Sequence, residues 1–108
     1  MAEHGKSDVV VILCTAPEGS GHTIASKLLD RHLVACVNIL SARSVYRWEG
    51  AICDDPEDLL IMKTSHARVN ELTSFLVSIH PYDIPEVICI PVHGGYERYL
   101  AWVDREVQ

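Results

Sequence analysis

The sequence is poor in positive charge, with nine lysines and arginines against fifteen acids, so the net charge is −6. Proteins that follow nucleic-acid phosphates need a basic surface, so we expect no nucleic-acid partner. Long hydrophobic runs are also missing, and the longest, at residues 9–14, is far shorter than the roughly 20 residues that cross a bilayer. The N-terminus has no signal-peptide pattern either, so we expect a cytoplasmic protein with no membrane partner.

Several familiar motifs of metal and catalytic sites are absent as well. The four cysteines form no C-x-x-C pair, which excludes a zinc ribbon and a thioredoxin-type redox motif; they are Cys14, Cys36, Cys53 and Cys89. The sequence has no G-x-S-x-G, H-E-x-x-H or P-loop motif, and nothing pairs a serine with a histidine for nucleophilic catalysis. We therefore expect free thiols in a reducing compartment and a protein that is not an enzyme.

The sequence does contain a regular succession of β-branched runs and amphipathic segments. The hydrophobic patterns predict, in order, a strand at 8–15, a helix at 22–33, strands at 34–40 and 58–65, a helix at 66–80, a strand at 86–92 and a helix at 96–107. A β-α-β-β-α-β order with a closing helix is the ferredoxin-like plan, an α+β fold with one antiparallel sheet. We expect a single domain over residues 1–108, with 1–7 as a flexible tail.

Three of the predicted strands carry continuous apolar runs, at 9–14, 58–62 and 87–92. A strand with one face in water alternates between apolar and polar residues, so these runs indicate strands that are covered on both faces. The two main helices cover one face of the sheet, and we expect the closing helix to cover part of the other. Other subunits must then cover the rest, which predicts a homo-oligomer.

The second strand continues through residues 41–48 toward a turn, and Gly50 is the expected tip of that turn. An acidic cluster follows at 54–58 and could attract cations loosely. Because it lacks the spacing of a calcium loop, we expect it to belong to a solvated turn.

One rim of the predicted sheet gathers several chemically useful side chains. The second main helix ends at His80 and the first strand ends near Cys14, so the topology places both on one rim, together with Tyr82, Asp83 and Glu86. A thiolate with an imidazole is a soft pair that suits Cu(I) or zinc. The alternative is structural, because the following proline ends the helix and a histidine there can bond to free carbonyl groups. The residue types alone leave both interpretations open.

Seven short stretches together resemble the CutA divalent-cation tolerance family. They are LCTAP, LVACVNIL, SVYRWEG, LLIMKTS, HPYDIPEV, PV before a loop, and YLAWV, and they follow the family's order from about residue 9 to residue 103. The resemblance implies a ferredoxin-like fold and a homotrimer, in which long second and third strands project as an extended hairpin and join sheets between subunits. It also implies that Tyr46 and Trp48 are aromatic anchors at a subunit contact.

For function, the resemblance implies tolerance of divalent cations, with copper or another divalent metal as a weakly bound cofactor. The proposed copper ligands of bacterial members are the cysteine of LCTAP and a histidine pair before PY. They correspond here to Cys14 and His80, while the position of the first histidine of that pair holds Ile79. The expected partners are therefore metal ions and further copies of the same chain.

An alternative function is that of a PII-like signalling module. Trimeric ferredoxin-like proteins of the PII type bind small molecules in clefts between subunits and pass the signal to partners. This chain would use a cleft near Trp48, Tyr82 and Glu86 for a ligand other than a metal ion.

Overall fold

The computed structural model describes residues 8–108, and the tail predicted at 1–7 lies outside the described residues. The strands and helices are, in chain order, β1 (Val9–Pro17), α1 (Gly21–Asp30), β2 (Cys36–Trp48), β3 (Ala51–Ser65), α2 (Val69–Ile79), β4 (Ile88–Pro91) and α3 (Glu97–Glu106), with a short 3-10 helix at His66–Arg68 before α2. The predicted α+β order of elements is confirmed. Across residues 8–108, no helix combines the length and the apolar composition that crossing a bilayer requires.

The four strands form one antiparallel sheet in the order β2-β3-β1-β4. The central strand β1 pairs on one side with β3, where Cys14 lies opposite Leu60, and on the other side with β4, where Ile12 lies opposite Cys89. Helices α1 and α2 pack against each other. This is the predicted ferredoxin-like arrangement, and it brings the end of β1 close to the end of α2.

The face of the sheet beneath α1 and α2 is a closed hydrophobic core. Alternate side chains of β1 and β3 meet the apolar stripes of the two helices, because a strand presents every second residue to one face. The fully enclosed members are Ile12, Cys14, Ala16, Leu28, Leu33, Leu60, Met62, Leu72 and Leu76. Burying one large aliphatic side chain contributes roughly 1.5–3 kcal/mol relative to leaving it exposed. Truncations in this layer are therefore expected to cost the most stability.

The opposite face of the sheet is only partly covered. Helix α3 lies over one end of it, where the Ser65 hydroxyl donates a hydrogen bond to Asp104. Farther along this face, Leu13, Leu59 and Ile61 are half-buried. Three apolar side chains beside them stay exposed, namely Leu40, Ile88 and Ile90. The closing helix thus covers part of this face, as predicted, and an apolar strip stays open.

Strands β2 and β3 continue beyond the end of β1 as a long two-stranded hairpin. The pairing of β3 with β1 stops at Glu57, whereas β2 and β3 pair as far as Trp48 and Ala51. Glu49 and Gly50 form the turn, both with positive φ (49° and 81°), which suits a two-residue hairpin loop. With this projection the described residues extend over 50 × 25 × 22 Å. The extended hairpin and its tip are confirmed.

The acidic segment at 54–58 lies in a strand, so the prediction of a solvated turn is wrong. Strand β3 begins at Ala51 instead of Asp58. Acidic residues and proline disfavour strands, but the ladder with β2 overrides that local preference here. Pro56 lies beyond the end of β1 and has only one neighbouring strand, so its missing N–H is tolerated. Glu57 and Asp58 are even buried, at 7% and 8% exposure.

Candidate functional site

The end of α2 and the end of β1 meet at one rim of the sheet. Helix α2 ends at Ile79, and His80 adopts an extended conformation (ψ 136°) because Pro81 disfavours helical geometry in the residue before it. The His80 ring then reaches the end of β1, where its Nε2 lies 2.9 Å from the carbonyl oxygen of Thr15. The rim that the topology predicts is therefore present.

Both ring nitrogens of His80 already have partners. The backbone N–H of Tyr82 donates to Nδ1 at 3.1 Å, so Nδ1 carries no hydrogen and Nε2 is the nitrogen that donates to Thr15. The residue is only 8% exposed, and its ring packs against that of Tyr82 with the centroids 4.8 Å apart. A metal ion would have to displace one of these two hydrogen bonds to gain a lone pair from the ring.

Cys14 is fully buried on the helix-covered face, and its thiol donates at 3.5 Å to the same carbonyl oxygen of Thr15. Burial raises the pKa of the Cys14 thiol to about 12, and the carboxylates of Glu86 and Glu57 add to that rise. Metal ions bind the thiolate and not the thiol, so this cysteine is in the wrong protonation state at neutral pH. Within residues 8–108, no three histidine, cysteine or carboxylate side chains are grouped so as to hold a metal ion.

Cys14 and His80 are thus brought together as two donors that share one acceptor oxygen. A copper or zinc ion needs a thiolate and an imidazole lone pair, whereas both groups present hydrogens to the Thr15 carbonyl. The pair does not fit a preformed soft-metal site, and its role as a ligand pair stays a prediction. In the structural interpretation, His80 ends the helix and bonds to a free carbonyl group. His80 does bond to a carbonyl group, but that group belongs to Thr15 of β1 and not to the end of α2.

A cleft of about 690 Å³ opens beside this rim, between the hairpin and the loop that follows α2. Tyr46 and Trp48 line it on the hairpin, residues of the 81–86 loop line it on the other side, and Thr15 and Glu57 also contribute to its surface. The volume is within the roughly 300–1,000 Å³ range of small-molecule sites. Four residues that the sequence places in this region line the cleft, namely Trp48, Tyr82, Asp83 and Glu86.

Hydrogen bonds to carboxylates orient the two tyrosines of the cleft. The Tyr82 hydroxyl donates to Glu57 Oε2 at 2.6 Å, and the Tyr46 hydroxyl donates to Asp55 Oδ2 at 2.7 Å. Burial and then the bond to Glu57 raise the pKa of Tyr82, while the bond to Asp55 is the main cause that raises the pKa of Tyr46 to about 12. Both phenols have therefore already donated their hydrogens to the protein, and their oxygens can only accept from a ligand.

Comparison with known proteins identifies the family. The profile of the CutA1 divalent ion tolerance protein family matches residues 9–106. This chain belongs to that family. The divalent-cation tolerance protein CutA of Pectobacterium atrosepticum is 38% identical to it, over the whole length of both chains.

Solved structures of the CutA family share this fold. CutA from Xylella fastidiosa matches with a TM-score of 0.91 and 38% identity, over 94% of this chain and 100% of that one. A protein from Nostoc sp., named PII-like protein CutA, matches with a TM-score of 0.88 and 33% identity, over 92% and 97%. The four-stranded antiparallel sheet with three helices is therefore the fold of CutA and PII-like proteins.

Among the residues of this CutA cleft, sequence reasoning missed Glu57. Glu57 falls in the segment predicted as a turn, and a turn does not assign a side chain to either face of the sheet. The alternation that follows could have revealed it, because Leu59 and Ile61 lie on the same face of β3 as Glu57, and Asp58 lies on the face of Leu60.

Proposed function

We propose that this chain takes part in the tolerance of divalent metal ions, as a cytoplasmic, single-domain homotrimer that acts by binding and not by catalysis. The observation that supports this proposal is the 38% identity to a divalent-cation tolerance protein over the full length of both chains. The fold adds a physical reason for assembly, because one face of the sheet is left with an open apolar strip.

The homotrimer is proposed to form through the extended strands β2 and β3. Leu40 lies on the open face at 46% exposure, and farther along the hairpin Val45 and Ile52 are exposed on the other face of the ladder. Monomeric proteins rarely leave such neighbouring apolar groups in water, because covering them is favourable by roughly 25 cal/mol per Å². Because they lie on both faces of the hairpin, two neighbouring chains, as in a trimer, would be needed to cover them.

Light scattering tests the assembly. The wild-type protein should have about three times the 12.0 kDa mass of one chain at micromolar concentration. Leu40→Asp places a charge on the open face and should lower that mass, whereas Val77→Asp, a matched change at an exposed position of α2, should not. A wild-type mass near that of one chain would contradict the proposed trimer.

Copper or zinc binding at Cys14 and His80 is kept as a proposal that requires a local rearrangement. The thiol must lose its proton, and His80 must release either Thr15 or the Tyr82 N–H, so we expect weak binding. A ligand from a neighbouring subunit would strengthen such a site. When bound, the metal ion would be held by a thiolate and an imidazole, a donor set suited to Cu(I) and zinc.

Calorimetry with copper and with zinc tests this site. Binding should weaken at least about tenfold in Cys14→Ser and in His80→Ala, since each change removes one of the two ligands. Cys89→Ser is the matched control, because Cys89 is an exposed thiol on β4. Equal binding by all four proteins would eliminate Cys14 and His80 as ligands and leave the family's metal tolerance to another mechanism.

A second candidate function is favoured by the cleft itself. A concave surface of small-molecule size, with aromatic walls and a few polar groups, is typical of a ligand site. The match to a protein named as PII-like agrees with a sensing role. A thermal-shift screen of metabolites against metal ions separates the two functions, because a ligand that binds only the folded protein raises its melting temperature.

A further inference from the structure

The cleft between the hairpin and the 81–86 loop has one sign of charge. Three carboxylates line it, those of Glu57, Asp83 and Glu86. Among the described residues, no lysine, arginine or histidine side chain lines it, and Arg43 on the same hairpin is paired with Asp54 at 2.6 Å. A ligand that enters this cleft therefore meets negative charge that no lining base among residues 8–108 of the same chain neutralises.

The three carboxylates disfavour an anionic ligand such as a nucleotide, because like charges repel more strongly at a partly buried surface than in water.

The apolar part of the cleft is aromatic. Tyr46, Trp48 and Tyr82 line it together with Ile84. The faces of aromatic rings attract cations, and the attraction is strongest for tryptophan and increases when the cation loses water. Glu57 adds a carboxylate that is held in place by the Tyr82 hydroxyl and is only 7% exposed. Aromatic walls beside a fixed, buried carboxylate provide the chemistry that recognises a positively charged organic group.

We propose that this cleft binds a small organic cation, an amine or a quaternary ammonium compound, with its charged group between Glu57 and the faces of Trp48 and Tyr82. The proposal rests on the second candidate function and names the class of its ligand. The aliphatic substituents of such a cation would pack against the aromatic walls. Its N–H or O–H groups would donate to Glu86 and to the phenol oxygens, whose own hydrogens are already donated.

Choline and its uncharged isostere 3,3-dimethylbutan-1-ol test whether the cleft prefers a positively charged ligand. The two molecules have nearly the same shape, so a difference in affinity reports on charge. Calorimetry on the wild-type assembly should show choline binding about tenfold or more tighter than the isostere, the size expected for a partly desolvated cation at aromatic faces. Equal affinities, preferential binding of inorganic phosphate, or no binding of choline would each overturn the proposal.

Glu57→Gln tests the location of the ligand. The change keeps the size of the side chain and a hydrogen-bond acceptor for Tyr82 but removes the charge. Choline affinity should fall by roughly ten- to a hundredfold, as expected when the charged partner of an interaction is lost, while the isostere should be unaffected. Glu97→Gln makes the same chemical change on α3, outside the cleft, and should leave both affinities unchanged. Undiminished choline binding by Glu57→Gln would overturn the assignment.

Two further measurements separate this proposal from those on which it rests. Trp48→Leu keeps the wall apolar and removes the indole face, so choline binding should fall, whereas Trp48→Phe keeps an aromatic face and should retain most of that binding. Light scattering on both variants checks the subunit contact that the family resemblance implies for Trp48. If choline binding is lost only when the assembly dissociates, Trp48 is a subunit anchor and the proposed aromatic wall is wrong. If zinc binds through Glu57 and choline does not bind, the cleft is a metal site. If a neutral or anionic metabolite binds there, the small-molecule function is retained but the proposal of a cationic ligand is refuted.

Discussion

The two faces of the sheet are built from the same strands but differ in how they are covered. On the helix-covered face Leu60 is 0% exposed, whereas Leu59, the next residue of the same strand, is only half-buried on the opposite face, where Leu40 beside it is 46% exposed. Alternation gives both faces apolar side chains, so the difference comes from what lies above them. Two helices close the first face, and α3 reaches only one end of the second. The chain therefore completes one core by itself and leaves apolar side chains of the other face in water.

Two adjacent acids show the same contrast in polar side chains. Asp58 points toward the helices, where its Oδ2 accepts the backbone N–H groups of Gly19 (3.1 Å) and Gly21 (2.8 Å) at the start of α1. Glu57 points to the other side, where it accepts the hydroxyl of Tyr82 in the cleft. One carboxylate stabilises the fold by capping a helix, and the other leaves its charge beside a cavity.

The largest expected effect compares a leucine from each face. Leu60→Ala should lower the free energy of unfolding by about 2–5 kcal/mol, because it opens a cavity in a closed core. Leu40→Ala should lower it less, since half of that side chain is in water before assembly. Urea denaturation at one fixed protein concentration measures both. Equal losses would mean that assembly packs the second face as tightly as the first.

The adjacent acids provide the next comparison. Asp58→Ala should cost roughly 1–3 kcal/mol of stability, because it leaves two backbone N–H groups at the start of α1 without their acceptor. Glu57→Gln retains an acceptor for Tyr82 and should cost less than Asp58→Ala. The same denaturation measurement decides the order. If Glu57→Gln proved the more costly change, Glu57 would be chiefly a structural residue and its place in a ligand site would weaken.

The dependence of the free energy of unfolding on alkaline pH tests whether the Cys14 thiol is shielded from water on the helix-covered face. The Cys14 thiol has its pKa raised from 9.0 to about 12 in the folded chain, so folding favours the protonated form. The stability that this contributes is complete below pH 9 and is lost as pH rises through the folded pKa, with a slope of at most about 1.4 kcal/mol per pH unit. Between pH 9 and 12, Cys14→Ala should therefore lose stability less steeply than wild type. Identical slopes for the two proteins would show that Cys14 ionises in the folded chain as readily as in the unfolded one.

The smallest expected effect lies on the projecting hairpin. Arg43 and Asp54 form an ion pair at 2.6 Å, but both side chains are largely exposed to water, where such pairs contribute little. Arg43→Ala should leave the urea midpoint within experimental error. A fall comparable with that of Asp58→Ala would indicate that another subunit covers this pair in the assembly.

The sequence alone was sufficient for the element order, the antiparallel sheet, the hairpin tip at Gly50 and the rim that joins Cys14 to His80. Hydrophobic periodicity and turn residues predict the elements, and the β-α-β-β-α-β order of the ferredoxin-like plan predicts how they are arranged. It was insufficient for residues 54–58, because acids and a proline disfavour strands until the partner strand β2 is in place. It was also insufficient for the state of Cys14 and His80, since a residue type does not reveal whether its lone pair is free.

Hydrophobic alternation and chain order, which are properties of the sequence, determine that this chain forms a CutA fold with two apolar sheet faces. Packing in three dimensions determines how the polar groups are used. Cys14 and His80 both donate hydrogen bonds to the carbonyl oxygen of Thr15. Asp58 accepts a backbone N–H at the start of α1, whereas Glu57 lines a cleft between aromatic side chains. The physical reason is that hydrogen bonding and burial depend on neighbours distant in the chain, which no local pattern contains.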